Sequence, residues 1–341
     1  RGIDSYALHM DVGSVRIATP LQEKRIAALF RGGGPRGLPE PKEGFDRYLQ
    51  ETAMEKGANL VNRRVSAIEW NEERPRMKTQ QGLSDEYDLV AVAAGVNSST
   101  LKLIEGLGLG YDPPRITKTY ICEFLLGEDY IREHFGSSMH VFLSDIPRLE
   151  FAALIPKGEC LSLCILGERI DKGLIGSFLD SPEVRRHLPP DLREAPCSDC
   201  HCGPRINVGG SSHPFADRLV LIGDCGVSRL YKDGIGAAYR TAKAAARTAV
   251  FDGISADDFR NHFGEACRAL ESDNRIGKVV FGFTDVLKKT AVVRRGILRM
   301  LDKEQRLEGR RRRMSGVIWD LFTGSAPYRD ILLRTLHPLF W

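Results

Sequence analysis

The segment Leu219-Val220-Leu221-Ile222-Gly223-Asp224, followed by Lys232-Asp233-Gly234-Ile235-Gly236-Ala237-Ala238, joins an apolar run, an acidic turn and a glycine-rich start of an alanine-rich stretch. The unbroken apolar run is typical of a parallel strand that is covered on both faces. An Asp at the carboxyl end of this strand can accept hydrogen bonds from the hydroxyl groups of a sugar-like chain. The glycines allow close approach of a ligand, and the alanines predict a helix whose N-terminus holds an electron-rich edge or a phosphate.

This segment resembles the second FAD motif of the p-hydroxybenzoate hydroxylase-like flavoproteins, in which Gly-Asp ends a strand and Gly-x-Gly opens the next helix. Within that class the chain resembles the geranylgeranyl reductase branch, whose members reduce isoprenoid double bonds. Three further stretches agree with the family in order and spacing, so that the resemblance covers about residues 40 to 265. They are Phe45-Asp46-Arg47-Tyr48-Leu49 with Ala53 and Gly57-Ala58, Tyr87-Asp88-Leu89-Val90-Ala91-Val92-Ala93-Ala94-Gly95, and Ala153-Leu154-Ile155-Pro156-Lys157-Gly158.

The resemblance implies FAD as the cofactor. It also implies an α/β fold: a discontinuous three-layer (ββα) FAD-binding domain, an inserted and mostly antiparallel substrate-domain sheet, and a helical C-terminal region. The implied cofactor-binding residues are Gly223 and Asp224 at the ribityl chain, Gly234, Ile235 and Gly236 at the isoalloxazine or phosphate, Val65 at the adenine, Gly95 near the pyrophosphate, and Arg36 or Arg31 reaching in from the preceding loop.

Two departures from the family pattern stand out. Members of the family begin with a strand, a Gly-x-Gly-x-x-Gly turn and a helix, and this sequence opens on Arg1 without such an element, so we expect it to be a truncated piece of a longer protein. The literal match at 32–37 is followed by Pro39 and Pro41, which forbid the helix that the motif requires. In addition, Lys232 and Asp233 replace the family's Pro-rich stretch. Lys232 either stabilises an anionic reduced flavin or forms a salt bridge with an acid.

The chain divides into five predicted regions. Residues 1–39 supply strands of the substrate-side sheet, 40–110 form the first and incomplete part of the FAD-binding domain, 111–202 form the substrate-binding sheet domain, 203–265 form the second FAD-binding part, and 266–341 form a basic helical region. Apolar residues at helical spacing predict a helix from Phe45 to Lys56, and strands are predicted at Val61–Trp70 and Leu89–Ala94. Successive short apolar runs between 116 and 170 predict an antiparallel sheet.

The function implied by the resemblance is that of an FAD-dependent oxidoreductase, which delivers hydride from reduced flavin to a carbon–carbon double bond of an isoprenoid or other lipid-like substrate. An apolar small molecule fits the apolar face of the substrate sheet, because each buried methylene gains about 0.8 kcal/mol. The electron donor is NAD(P)H or a ferredoxin-like protein. Two alternatives stay open: a flavin-dependent aromatic monooxygenase or halogenase of the same fold, and a non-catalytic peripheral-membrane or metal-binding module.

The basic C-terminal region suits anionic lipid headgroups better than nucleic acid, because base-stacking and groove-reading elements are absent from the sequence. Apolar stretches from Val317 to Phe322 and from Leu336 to Trp341 would seat in the interface beside Arg310 to Arg313. Alternatively, these aromatics fold back onto the body. With 42% hydrophobic and 28% charged residues and no run of 20 apolar residues, the composition indicates a cytoplasmic protein that is either free or membrane-associated.

The cysteines and histidines leave several sites open. Eight cysteines without a secretory signal indicate a reducing compartment. The cluster Cys197, Cys200 and Cys202 binds a metal, forms a regulatory thiol pair or is a plain loop. No catalytic residue follows from the sequence, although His9, His140 and His201 are candidate proton donors.

Overall fold

The computed structural model describes residues 1–21, 24–35, 38, 42–71, 74–190, 192, 201–231, 233–307 and 311–336. The strands are β1 Gly2–Ile3, β2 Ser5–Met10, β3 Gly13–Ala18, β4 Ile26–Ala27, β5 Val65–Asn71, β6 Arg74–Thr79, β7 Gly82–Glu86, β8 Val90–Val92, β9 Ile116–Leu125, β10 Ser138–Phe142, β11 Leu149–Lys157, β12 Cys160–Gly167, β13 His201–Cys202, β14 Arg205–Asn207, β15 Phe215–Ala216 and β16 Leu219–Leu221. The helices are α1 Phe45–Glu55, α2 Thr100–Glu105, α3 Glu128–His134, α4 Lys172–Leu179, α5 Pro182–Arg185, α6 Gly234–Phe251, α7 Ala256–Asp258, α8 Gly264–Lys288, α9 Ala291–Gln305, α10 Arg313–Thr323 and α11 Tyr328–Thr335.

The largest sheet has the strand order β13-β9-β12-β11-β10-β2-β3, and β14 also pairs with β9. All its neighbours are antiparallel except β10 and β2, which run parallel. Strand β12 is buried along nearly its whole length, because both faces of the sheet are covered. The mostly antiparallel sheet predicted for 116–170 is therefore present, and the N-terminal strands β2 and β3 extend it.

Different helices cover the two faces of this sheet. On one face, Tyr6 and Val141 pack with Leu301 and Trp319 from the C-terminal helices. On the other face, Phe142 packs with residues of α3 to α5. The chain's own C-terminal helices thus cover part of the apolar surface of the sheet on which we expected an apolar small molecule.

A smaller parallel unit lies beside the large sheet. Its strand order is β15-β16-β8, with β16 and β8 parallel. The meander β5-β6-β7 packs on it through a cluster that contains Ile68, Val90 and Leu221. Helix α6 covers the other side, where Val220 packs with Ala245. These layers agree with the predicted ββα arrangement.

Most predicted elements are present with shifted ends. Helix α1 ends next to Gly57, whose φ of 98° is left-handed, as the sequence predicts. The strand predicted from Val61 begins at Val65, and residues 58–64 are exposed without regular structure. The strand predicted over Leu89–Ala94 is reduced to Val90–Val92. The five domain boundaries stay predictions.

The C-terminal region folds back onto the large sheet. Trp319 is fully buried, its ring meets the Tyr6 ring edge-on at 5.1 Å, and its indole nitrogen donates to the Lys24 carbonyl at 3.0 Å. Leu333 and Leu336 are exposed, whereas residues 337–341 and Arg310 lie outside the described residues. Among the described helices, none combines the length and apolarity that crossing a bilayer requires.

Asp320 is the buried charge that fastens this region. Its carboxylate is fully buried and accepts from Lys24 Nζ at 2.7 Å, Arg334 Nη2 at 2.6 Å and Ser325 Oγ at 2.6 Å. Burial by itself raises the pKa of Asp320, but these donors outweigh burial and lower the pKa below its usual value. A carboxyl whose pKa is lowered by folding stabilises the protein above its unfolded pKa, and that stability is lost as the pH falls through the folded pKa.

We expect Asp320→Asn to lower the free energy of unfolding by about 2–3 kcal/mol at pH 7, because two cations lose their partner. The difference from wild type should shrink as the pH falls from about 4 toward 2, because wild-type Asp320 is then itself protonated. Urea unfolding of both proteins across this pH range measures the difference in the free energy of unfolding. Asp302→Asn, at an exposed carboxylate, should change little. A stability difference between Asp320→Asn and wild type that does not change with pH would contradict a stabilising role for the ionised Asp320 carboxylate.

Candidate functional site

The site begins where two parallel strands end side by side. Leu219 lies opposite Val90, and Leu221 lies opposite Val92. The Cys225 thiol, in the turn after β16, donates to the Val92 carbonyl at 3.2 Å. Burial raises the pKa of this thiol, which keeps it a neutral structural group. Because β8 and β16 pair in parallel, the residues that follow both strands meet at one edge, where ligands of open α/β sheets bind.

The turn after β16 requires glycine. Gly223 has a left-handed φ of 68°, and a Cβ there would lie 3.3 Å from the Ala238 Cβ. Its amide donates to Thr241 Oγ1 at 3.0 Å, and that hydroxyl donates in turn to the Ala237 carbonyl. The turn therefore seats directly against the first two turns of α6.

Asp224 follows in this turn with its carboxylate directed toward the start of α6. A Cβ on Gly234 would lie 3.7 and 3.8 Å from the two carboxylate oxygens. The backbone carbonyl of Asp224 accepts from Asn207 Nδ2 at 3.3 Å, but within the described part of the chain no hydrogen bond reaches its half-buried carboxylate. The carboxylate can therefore accept hydrogen bonds from a ligand.

Arg31 and Asp46 lie near Asp224. The Arg31 guanidinium donates to both Asp46 oxygens, at 3.3 and 3.0 Å. This pairing, together with the charge of Asp224, raises the pKa of Arg31. Arg31 also lines a cleft of about 440 Å³ between its own loop and the start of α1. A Cβ on Gly44 would lie 2.2 Å from the Arg31 carbonyl, so this crossing tolerates glycine only.

Asp233 directly precedes α6. Its carboxylate brings a negative charge to the start of this helix, which the sequence analysis did not predict. Asp233 has a left-handed φ of 58°, and a Cβ on Gly236 would lie 2.2 Å from its Oδ1. Its Oδ2 accepts from Arg240 at 2.8 Å and lies 3.8 Å from buried Arg229. The carboxylate thus sits at the helix terminus that was expected to face an electron-rich ligand.

The other predicted site residues lie around this edge. Gly95, in the turn after β8, has a left-handed φ of 69°. Val65 packs against the same cluster as Val90. Ile235 is about half exposed on the first turn of α6. Arg36 lies outside the described residues, as does Lys232.

The three candidate proton donors separate into two places. His201 stacks near Tyr120 at the exposed edge of the sheet. His9 and His140 are buried side by side, and His187, which no sequence signal singled out, lies against both rings. Burial, with a contribution from neighbouring cations, lowers the pKa of His9 to about 3 and that of His140 to about 2. Both rings are therefore neutral at pH 7.

The structure describes only one of the three cysteines in the cluster that the sequence analysis singled out. Cys197 and Cys200 lie outside the described residues, and Cys202 is exposed on β13. Metal binding by this cluster stays a prediction. Cys122 is disulfide-bonded, a bond that is uncommon in the reducing compartment that the sequence was expected to indicate.

We expect Gly223→Ala to lower the free energy of unfolding by about 2–3 kcal/mol, since it combines left-handed strain with crowding at Ala238. Gly95→Ala is the matched control. It has nearly the same φ but nothing within 4 Å of the added Cβ, so only the strain of about 1–2 kcal/mol should appear. Urea unfolding of both variants measures the difference. Equal losses would show that the contact with α6 contributes nothing.

No protein-family model matches this sequence, and no curated protein matches it. Solved structures do. A geranylgeranyl bacteriochlorophyll reductase-like protein from Thermoplasma acidophilum aligns with a TM-score of 0.58 at 12% identity, over 98% of this chain and 82% of its own. A flavoprotein/dehydrogenase from Cytophaga hutchinsonii aligns with a TM-score of 0.57 at 14% identity, over 99% and 82%. A p-nitrophenol 4-monooxygenase from Pseudomonas putida aligns with a TM-score of 0.54 at 16% identity, over 94% and 80%. The likeness confirms the predicted fold.

Proposed function

We propose that this chain, which has the fold of the p-hydroxybenzoate hydroxylase-like flavoproteins, is an FAD-dependent oxidoreductase that reduces carbon–carbon double bonds of an isoprenoid or other lipid-like substrate. The observation that carries the proposal is the Asp224 carboxylate, which stands at the joined ends of β8 and β16 without a hydrogen bond from any described residue. Structures of a reductase-like protein and of a flavoprotein/dehydrogenase share the fold.

The donor set at this edge fits the sugar-like part of FAD. Asp224 would accept hydrogen bonds from the ribityl hydroxyls, and Gly234 leaves room for them because it has no side chain. Val65 would offer its backbone to the adenine, and the turn at Gly95 would lie near the pyrophosphate. Arg31 would add a positive charge close to Asp224. When bound, reduced FAD supplies a hydride to one carbon, and the neighbouring carbon takes a proton.

A second cleft, of about 510 Å³, supports an apolar substrate beside this edge. Leu230 and Tyr231, just before α6, line it together with Ile116 and Val208. These side chains offer apolar contacts to a hydrocarbon chain, in a cleft that is open to solvent and has about as much polar as apolar surface. Arg115 and Lys278 complete the lining, in addition to Pro114.

Asp233 opposes the binding of an electron-rich flavin edge at the start of α6. We expect Asp233→Asn to tighten FAD binding several-fold, because it removes this negative charge while Asn tolerates the left-handed backbone. Fluorescence titration of FAD at two salt concentrations measures the gain, which should shrink as salt rises. Weaker binding by the variant would mean that Asp233 supports the cofactor through Arg240.

The proposal is tested by titrating the purified protein with FAD and following the quenching of flavin fluorescence. We expect binding by wild type and a loss of affinity of about tenfold or more in Asp224→Ala, because a hydrogen bond to a charged group contributes about 1.5–3 kcal/mol. Asp129→Ala, at an exposed carboxylate on α3, is the control. No FAD binding by wild type would overturn the proposal and favour the non-catalytic reading.

An aromatic monooxygenase is the second candidate, because a p-nitrophenol 4-monooxygenase shares the fold to a similar extent. A flavin-dependent halogenase of the same fold is part of this second candidate function. The two chemistries separate by product: the flavin-loaded reductase saturates a prenyl chain without oxygen, whereas a monooxygenase consumes oxygen with a soluble aromatic. The donor is NAD(P)H or a ferredoxin-like protein. The stretch from Val317 to Phe322 packs in the core, so an association of the C-terminal region with anionic membranes would rest on its exposed basic side chains. Vesicle co-sedimentation tests this last point.

A further inference from the structure

Three imidazoles converge on the face of the large sheet that α3 to α5 cover. His9 on β2 and His140 on β10 lie on neighbouring parallel strands, with His9 opposite Phe142 and His140 opposite Ala7, so both side chains point to the same face. His9 Nε2 and His140 Nδ1 are 3.2 Å apart. His187 comes from the segment after α5, and one ring nitrogen of each histidine lies within 4.8 Å of the other two.

We propose that His9, His140 and His187 form a binding site for a divalent transition-metal ion, with Zn²⁺ as the natural occupant. Three imidazole nitrogens are a ligand set that zinc takes in proteins, with Zn–N distances near 2.0–2.1 Å. The present spacing needs only small ring movements to meet them. Three protein ligands leave a further coordination position for water or a small anion.

The surroundings suit an ion held by neutral nitrogens. The Phe142 ring stacks on His9 at 4.6 Å, and the Phe135 ring lies 4.9 Å from His140, so the rings are fixed before the ion arrives. Apart from the bond between His9 and His140, the side chains of the three histidines make no hydrogen bond with any described residue. An ion that takes the place of the hydrogen bond between His9 and His140 therefore displaces no other hydrogen bond of these side chains within the described residues.

The exposure of His187 and the charges of nearby arginines determine how a metal ion enters this site and how tightly it binds. His9 and His140 are buried, whereas His187 is only partly covered, so an ion reaches the site past His187. The charges of Arg186 and Arg16 act on these rings. Both oppose a cation, and Arg186 also acts on the entrance residue His187. The site is thus selective for ions that bind imidazole strongly, rather than for Mg²⁺ or Ca²⁺.

A bound ion would join two strands of the sheet to the segment after α5. This segment is part of the cover over Phe142, since Leu188 belongs to the same cluster. An ion that binds only the folded state stabilises it. The inference is independent of flavin binding, because His9 and His140 lie on the large sheet, whereas Asp224 follows β16 of the smaller sheet.

The test uses the chelator-treated full chain with Co²⁺ as a spectroscopic probe and Zn²⁺ in calorimetry. We expect one equivalent of Co²⁺ with visible d–d bands and no thiolate-to-cobalt charge transfer, which separates this site from the cysteines. In His187→Gln the Zn²⁺ affinity should fall on the order of 100-fold, at least the loss that a changed supporting residue causes. His262→Gln, at an exposed histidine, should bind as wild type. No cobalt binding, thiolate bands or unchanged affinity in His187→Gln would overturn the proposal.

A second variant guards against misfolding as the cause of lost binding. Arg186→Gln removes an exposed cation near His9 and His187. We expect it to tighten Zn²⁺ binding several-fold, with the gain decreasing as salt is added. A merely damaged fold would not bind more tightly. Unchanged or weaker binding in Arg186→Gln would contradict the placement of the ion among these three rings.

Discussion

The close packing of α6 against the end of β16 is the contact on which the site depends. Gly223 turns with a left-handed backbone, approaches Ala238 and donates to Thr241. Helix α6 buries Ala237, Thr241, Ala245 and Thr248, so small residues spaced by about one turn form the stripe that faces the sheet. Because both the turn and the helix are held this tightly, the Asp224 carboxylate and the amides at the start of α6 have a fixed relation before any ligand binds.

The C-terminal helices are built onto the same segment. Buried Arg229 donates to the carbonyls of Gly324 and Ala326, and its guanidinium lies 4.3 Å from the centre of the Tyr328 ring. Tyr328 donates in turn to the Leu230 carbonyl at 2.5 Å. The helices that cover one face of the large sheet are therefore fastened to the residues that lead into α6. A substitution in these C-terminal helices should therefore alter the cleft that Leu230 lines.

Local pattern was sufficient where one element decides its own structure. The spacing of Phe45, Tyr48 and Leu49 predicted α1, and the alanines after Gly236 predicted α6. The pattern failed at the ends of strands. A strand was predicted from Val61, yet only from Val65 does the chain pair, with Thr79 on β6. A strand exists only where a partner accepts its hydrogen bonds, and a sequence pattern does not contain that partner.

The sequence by itself determined the order of the main elements and the position of Asp224 after a buried strand, because these follow from periodicity and turn chemistry over a few residues. The fold as a whole was predicted from the resemblance of several motifs to a known family. The tertiary structure alone decided that Asp233 lies over Gly236, that Trp319 packs on Tyr6, and that His187 joins His9 and His140. Tyr6 and Trp319 are far apart in the sequence, as are the three histidines, and the left-handed backbone of Asp233 follows no periodic pattern. These contacts depend on how separate elements are brought together, and local periodicity carries no information about that.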